Sequence, residues 1–450
     1  MSKPKTIFVC QSCGATYPKW MGRCPECNSW NTIVEEIVKD EKKSKVSFPG
    51  PPVFPIHEIE KNRKRRIKTG IEELDRVLGG GVVSGSVVLI GGEPGIGKST
   101  LILQALASLA NNNIEVVYIT GEESLDQIRM RAERIGVISS NVKVASETNL
   151  NLIFSLLDSE SPQISAIDSI QTLLCDEITS APGSISQVRE SAARLVRYAK
   201  DKKIALFFIG HITKEGAIAG PKLLEHMVDT VLYFETSPGI PYRILRTAKN
   251  RFGSANEIGV FEMGDKGLKE IISPSEIFLS QRASHASGSV VVSCIEGTRP
   301  ILVEVQALVS PSKTAMPRRQ GVGVDPNRLS LMVAVLEKKL GINLMDQDIF
   351  LNVAGGVRVD EPAVDLAIAG SILSSFFDRL VDSKTVILGE VGLAGEIRAI
   401  NQIEIRIMEA KRIGFSRFIL PEGNREKLKF TPDDQFLFVS DIKQFIEVLF

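Results

Sequence analysis

Gly92-Glu93-Pro94-Gly95-Ile96-Gly97-Lys98-Ser99-Thr100 carries the spacing G-x-x-x-x-G-K-S, in which each fixed position has a task at a phosphate. Glycines let backbone N–H groups curl around anionic oxygens, and a helix that begins there points its positive N-terminus at them. Lys98 is placed to reach the β- and γ-phosphates, and the Ser99 hydroxyl to ligate Mg²⁺. A glycine-rich turn with no ligand is the plain alternative, and the flanks speak against it. Val87-Val88-Leu89-Ile90 reads as a strand and Leu101–Leu106 as a helix, the context this motif requires. The chemistry expected is nucleoside triphosphate binding.

A second constellation lies near the N-terminus. Cys10-x2-Cys13 is followed after ten residues by Cys24-x2-Cys27, so four of the six cysteines fall in one short segment. Four thiolates at this spacing complete a closed tetrahedral shell, and Zn²⁺ is the ion that suits it. Two disulfides are disfavoured in a reducing compartment, and a thioredoxin-like redox pair lacks its βαβ surroundings. So short a module has almost no core, and metal binding must supply most of its folding free energy. Cys175 and Cys294 sit among apolar residues and read as packing.

Three further strands are expected to end near the phosphate loop. Val116–Ile119 runs into Thr120-Gly121-Glu122-Glu123, Ile164–Asp168 into Ser169, and Ala205–Ile209 into Gly210-His211. Strands alternating with helical patterns indicate a parallel α/β sheet, whose ligands gather at the carboxyl ends of the strands. Asp168 fits the role of a second Mg²⁺ holder, and Glu122 or Glu123 that of orienting and deprotonating an attacking water. His211 stands where a residue could sense the γ-phosphate. For any one of these, a helix cap or surface ion pair is the bland alternative.

The whole chain bounds these readings. Its 450 residues exceed one core, so several domains are expected. Fifty-four basic residues balance 54 acidic ones, so any nucleic-acid contact must come from local patches. No apolar run approaches the ~20 residues of a bilayer span, which points away from a membrane and toward the cytoplasm. Residues 39–55 have linker composition, and Lys61–Lys68 holds six cations in eight positions, either a solvated run or a phosphate contact.

The order of Gly92–Thr100, Thr120-Gly121-Glu122-Glu123-Ser124 and Asp168-Ser169 resembles a RecA-type ATPase core. Lys249-Asn250-Arg251-Phe252-Gly253 is similar to a signature of the bacterial RadA (Sms) family of DNA-repair proteins, which also carries a four-cysteine ribbon. The resemblance implies ATP as the nucleotide, hydrolysis between neighbours in a homohexameric ring, and translocation on single-stranded and branched DNA beside a recombinase partner. It implies that Lys249 and Arg251 reach a neighbour's phosphates; without it, a local salt-bridged turn is the simpler reading. It also sets residues 212–222 facing a DNA channel. Lys214 and Lys222 would then meet phosphates, since no aromatic residue is present there for stacking. A slow ATP switch without motor activity is the competing function.

The tail resembles the proteolytic domain of Lon, with two departures. Ala363 stands where a serine nucleophile belongs and Glu404 where a lysine base belongs, so peptidase chemistry is not expected. A cluster of Lys313, Arg318, Arg319 and Arg328 suggests instead a second DNA surface, or a solvated face. The expected organisation is a zinc ribbon over 1–35, a linker over 36–60, a RecA-like α/β core over 61–272 and a Lon-protease-like α+β domain over 273–450.

Overall fold

The structure, a computed structural model, describes residues 5–10, 13–38, 55, 66–138, 140–210, 221–236, 242–280, 282, 286–314, 316–356 and 358–450. It divides into two compact units, with the boundary between Ile271 and Ile272. The first begins with a small antiparallel sheet of β1 (Lys5–Cys10), β2 (Thr16–Tyr17) and β3 (Ile33–Val38), in the order β2-β1-β3. Among the described residues its buried cluster is Cys10, Cys24 and Ile33, with Phe8, Tyr17 and Met21 packed around them.

A short pair of strands, β4 (Arg66–Ile67) and β5 (Val82–Val83), flanks α1 (Glu72–Val77). The main sheet then starts with β6 (Val87–Gly92), followed by α2 (Lys98–Asn111), β7 (Val116–Thr120), α3 (Leu125–Arg134), β8 (Lys143–Ser146) and α4 (Leu150–Glu160). It continues with β9 (Ile164–Asp168), α5 (Ile185–Lys202), β10 (Ala205–Ile209), α6 (Pro221–Met227) and β11 (Thr230–Glu235). An antiparallel meander, β12 (Tyr242–Asn250), β13 (Ile258–Gly264) and β14 (Gly267–Glu270), closes one edge. The order among the described residues is β14-β13-β12-β11-β6-β10-β9-β7-β8.

The central strands β6, β7, β9 and β10 are buried at every position because both faces are covered. Val88, Ile90, Tyr118, Ala166 and Phe207 pack with α2 on one face. Their neighbours Val87, Leu89, Val117, Ile167 and Phe208 pack with α4 and α5 on the other. Helix α5 meets the sheet through Ile185, Val188, Ala192, Leu195 and Ala199, a helical spacing of three and four, and Ser184 caps it by accepting from the Gln187 N–H. Each fully buried large side chain in these layers contributes about 1.5–3 kcal/mol.

The second unit opens with α7 (Pro274–Leu279), β15 (Ser289–Glu296), β16 (Arg299–Pro311), β17 (Arg319–Val322), α8 (Pro326–Leu340) and β18 (Gln347–Val353). After α9 (Asp365–Phe376) come β19 (Thr385–Ile387), the small hairpin β20 (Glu390–Val391) and β21 (Ile397–Arg398), and α10 (Ile403–Ile413). The unit ends with β22 (Arg417–Pro421), β23 (Phe436–Val439) and α11 (Ile442–Leu449). Its sheet runs β17-β18-β16-β15-β19-β22-β23, with α9 lying on β15 and β16. Among the described residues, no helix is long and apolar enough to cross a membrane.

Candidate nucleotide site

The loop from Gly92 to Gly97 turns out of β6 with positive φ at Gly92, Gly95 and Gly97 (153°, 77° and 117°), and α2 begins at Lys98. At Gly92 a β-carbon would lie 2.9 Å from the Phe234 carbonyl oxygen, so only glycine fits. The Lys98 ammonium is 4% exposed and donates to the carbonyls of Gly92 and Glu93, each at 2.9 Å. It thus lies folded over the cradle that phosphates would fill. Burial pushes its pKa down, while the charges of Asp168 and Glu122 act in the opposite sense. Ser99 follows on the first turn of α2, with Thr100 nearly buried behind it.

Sheet register brings the other expected groups to the same level. Thr120, Asp168, Ile209 and Ile90 stand opposite one another across β7, β9, β10 and β6. Asp168 is 6% exposed, and its Oδ2 accepts from the hydroxyl of Tyr118, which is fully buried in the core. Burial and the adjacent carboxylate hold that phenol well above its ordinary pKa, so it remains a donor. Glu122 is exposed at the cleft edge and accepts from the Ser169 hydroxyl at 2.5 Å. Glu123 instead pairs with Arg131 and is less exposed than Glu122. His211 lies outside the described residues.

The phosphate loop opens into a cleft of about 540 Å³ lined by Gly95, Gly97, Lys98, Ser99 and Thr100 on one side. Arg131 and Arg134 of α3 and Met263, Gly264, Asp265 and Gly267 of the β13–β14 turn line the remainder. None of these wall residues was expected from the motif alone. The available signal was two arginines spaced i, i+3 on the helix that follows an acidic strand end. A larger hollow of about 880 Å³ lies within the second unit, lined by Arg328, Asp360 and Asp365 among others. It has no phosphate-binding turn, so chemistry assigns the nucleotide to the smaller cleft.

Lys249 and Arg251 sit elsewhere. Thr230 of β11 pairs with Asn250 and with Val88, whereas Phe234 pairs with Leu245 and with Gly92. Four residues of strand, about 13 Å, therefore separate the level of Asn250 from that of the chain's own phosphate loop. The Lys249 ammonium donates to the carbonyls of Glu225, Val228 and His226 at 2.6, 2.8 and 3.4 Å, a cation on the C-terminal end of α6. Arg251 is about half exposed and lies 3.4 Å from the buried carboxylate of Asp229. The local salt-bridged turn is thus formed within one chain.

At the ribbon, the four Sγ atoms of Cys10, Cys13, Cys24 and Cys27 lie within 4.8 Å of one another. Cys10 and Cys27 are 3.7 Å apart and Cys13 and Cys24 3.5 Å. A tetrahedron with Zn–S bonds of about 2.3 Å has edges of about 3.8 Å, so the cluster fits zinc.

Comparison with known proteins agrees with this geometry. A family model described as the KaiC ATPase matches residues 67–155. Models described as a rubredoxin metal-binding domain and as subunit ChlI of Mg-chelatase match residues 8–35 and 330–424. The DNA repair protein RadA of Bacillus subtilis (strain 168) is 53% identical over 430 residues, 94% of each chain. That of Halalkalibacterium halodurans is 51% identical over 453 residues, covering 100% of this chain and 99% of its own. That of Listeria monocytogenes serovar 1/2a is 52% identical over 445 residues, covering 98% and 97%. The chain belongs to the RadA family of DNA repair proteins. With the family come a RecA-type ATPase core using ATP and Mg²⁺, and a zinc ribbon.

The remaining candidates of this RadA-family chain divide. Lys214 and the side chain of Lys222 lie outside the described residues. Arg318 is exposed and Arg319 half-buried, both beside β18. Arg328 does not belong with them, because its guanidinium is taken up internally. It lies 2.7 Å from the Asp365 carboxylate and donates to the Asp360 carbonyl at 2.9 Å.

In the tail, the matching model is the one described as subunit ChlI of Mg-chelatase. Ala363 is 3% exposed in a short 3-10 turn ahead of α9. Glu404 accepts from the Lys429 backbone N–H at 2.7 Å and lies 3.5 Å from its ammonium. Nearby in sequence, Arg406 and Glu361 form a two-pronged pair at 2.8 and 2.6 Å, with Arg406 3% exposed. These contacts are structural in kind: no nucleophile stands at Ala363, and an anion stands at Glu404.

Proposed function

We propose that this chain is a DNA-dependent ATPase and a motor. In a homohexameric ring it drives branch migration of single-stranded and branched DNA in recombination intermediates. The observation that carries the reading is the position of Lys249 and Arg251. They are cations of the signature segment, yet they lie about 13 Å of strand away from the chain's own phosphate loop. That placement away from the chain's own phosphates supports a role at the nucleotide of a neighbouring copy.

Phosphates draw the Lys98 ammonium off the Gly92 and Glu93 carbonyls. Ser99 and Asp168 would hold Mg²⁺, which would supply neutralisation of charge on the bound phosphates. Tyr118 fixes one oxygen of Asp168 by donating to it. Glu122, steadied by Ser169, orients the attacking water and takes its proton. Arg251 of the adjacent copy, with Lys249 beside it, supports the charge that develops on the transferred phosphoryl group. Lys214 and Lys222, and in the second unit Arg318 and Arg319, supply phosphate contacts that are tolerant of sequence and weakened by salt. The chain acts in the cytoplasm, where its recombinase partner supplies the joint.

The competing function is an ATP switch. It is favoured by the engagement of Lys249 and Arg251 with their own chain. A labelled three-strand junction separates the two. The motor moves the branch point when ATP is added and fails to do so with Arg251→Ala, although that variant still binds nucleotide. A branch point that stays fixed with the native protein and ATP rejects the motor.

A further inference from the structure

We infer that the zinc ribbon is a base-stacking platform for single-stranded nucleic acid, an inference that rests on the chain working on DNA. The chain has two tryptophans, Trp20 and Trp30, and both are on the ribbon. They are 56% and 68% exposed. Tryptophan is on average a highly buried residue, and two so exposed on one small module mark a contact surface.

Both rings are held in place. The Trp20 indole N–H donates to the Ile33 carbonyl at 3.0 Å, which satisfies its one polar atom and leaves the ring presented. The Arg23 guanidinium lies 5.6 Å over the Trp30 ring, and a β-bridge joins the two residues. The module's own buried core is too small to take in either ring. A fixed ring forfeits little rotamer freedom when a flat partner stacks on it.

The setting selects the partner. Exposed Lys19 and Arg23 bracket Trp20 in sequence, and Val34 is the other large apolar side chain exposed among the described ribbon residues. Aromatic faces flanked by cations suit bases and phosphates together. Stacking is indifferent to sequence because every base has a π-face. It also supplies what Ile212–Lys222 lacks, since that loop has cations and no aromatic residue.

Because both tryptophans are on the ribbon, their emission reports on it alone in the full-length, zinc-loaded protein. Oligothymidylate is titrated while tryptophan is excited selectively, with anisotropy of the labelled oligonucleotide followed in parallel. The expected result is saturable quenching that tracks the anisotropy. Trp30→Ala should weaken binding roughly fivefold or more while leaving zinc content and DNA-free ATP hydrolysis unchanged. Two phosphate contacts predict a further loss of roughly sevenfold for a fourfold rise in salt in the quenching phase. Oligonucleotide binding with unchanged tryptophan emission overturns the inference and leaves a protein as the ribbon's partner. Absence of any oligonucleotide binding overturns the DNA reading beneath it.

Discussion

The guanidinium of Arg251 lies 3.4 Å from the Asp229 carboxylate, at the end of the strands away from the phosphate loop of the same chain. Asp229 is itself buried and accepts from the Val87 N–H at 3.1 Å, so the contact ties the signature segment to the first residue of β6. Arg251 has one anchored partner and a half-exposed head. Asp229 keeps the Val87 N–H and has the Lys200 ammonium at 3.8 Å, so its buried carboxylate is not left unmatched when the half-exposed Arg251 turns to a neighbour's phosphates.

If Arg251 acts on the adjacent copy, two dead variants should rescue each other. Lys98→Ala lacks a working phosphate loop and Arg251→Ala lacks the trans cation, and each alone should be inactive. Mixed rings would contain interfaces that combine an intact loop with an intact Arg251. Recovered turnover on mixing supports the arrangement. A mixture as inactive as its components removes it.

Tyr118→Phe tests the support of Asp168. The ring still fills its buried space, but one oxygen of Asp168 loses its donor. A hydrogen bond to a charged group contributes about 1.5–3 kcal/mol, so turnover should fall roughly tenfold or more, with a higher Mg²⁺ requirement. Thermal unfolding of the same variant should come a few degrees earlier, because a buried carboxylate loses a donor. Unaltered turnover across a Mg²⁺ titration would show that Asp168 needs no such support.

The motif and the strand-end acids were readable because they are local: a glycine loop, an apolar run and the acid that ends it are contiguous in sequence. Tyr118 and Asp168 are fifty positions apart, and they meet only because β7 lies beside β9. Arg131 was equally hidden, since its place at the cleft depends on how α3 packs. Arg328 shows the reverse failure. In sequence it belongs with Arg318 and Arg319, but α8 turns it inward onto Asp365. Basic spacing does not reveal which cations have a carboxylate waiting. Lys249 and Arg251 were legible as a signature, whereas the end of the sheet they occupy came only from strand register.

Burial holds the Asp365 carboxyl at about 6, above its ordinary 3.8, with Arg328 opposing the shift. A raised carboxyl binds its proton more tightly in the folded state than in the unfolded one. Its contribution to stability is therefore full below about pH 4 and is lost as pH rises to about 6, by up to about 3 kcal/mol. The difference in unfolding free energy between the native chain and Asp365→Asn should shrink across that window. A difference that grows with pH would mean that Arg328 outweighs the desolvation.

The Arg406–Glu361 pair is nearly sealed from water on the arginine side. Removing one partner leaves the other charge without its match, and Arg406→Ala should cost about 3–5 kcal/mol. Denaturant unfolding that shows less than 1 kcal/mol would place the pair in contact with solvent.

Ala363→Ser adds a hydroxyl to a 3%-exposed turn, while Glu404 remains committed to Lys429. A serine with no basic partner is not activated, so casein and fluorogenic peptides should stay uncut. Cleavage by this variant would refute the account of the tail.

Steady-state ATP hydrolysis with Mg²⁺, measured with and without single-stranded DNA and with Lys98→Ala as the blank, tests coupling between the nucleotide cleft and DNA most directly. Strong stimulation by DNA in the native chain, absent from the variant, is the predicted result. Turnover that ignores DNA, with the cleft otherwise active, would contradict the motor and leave the switch.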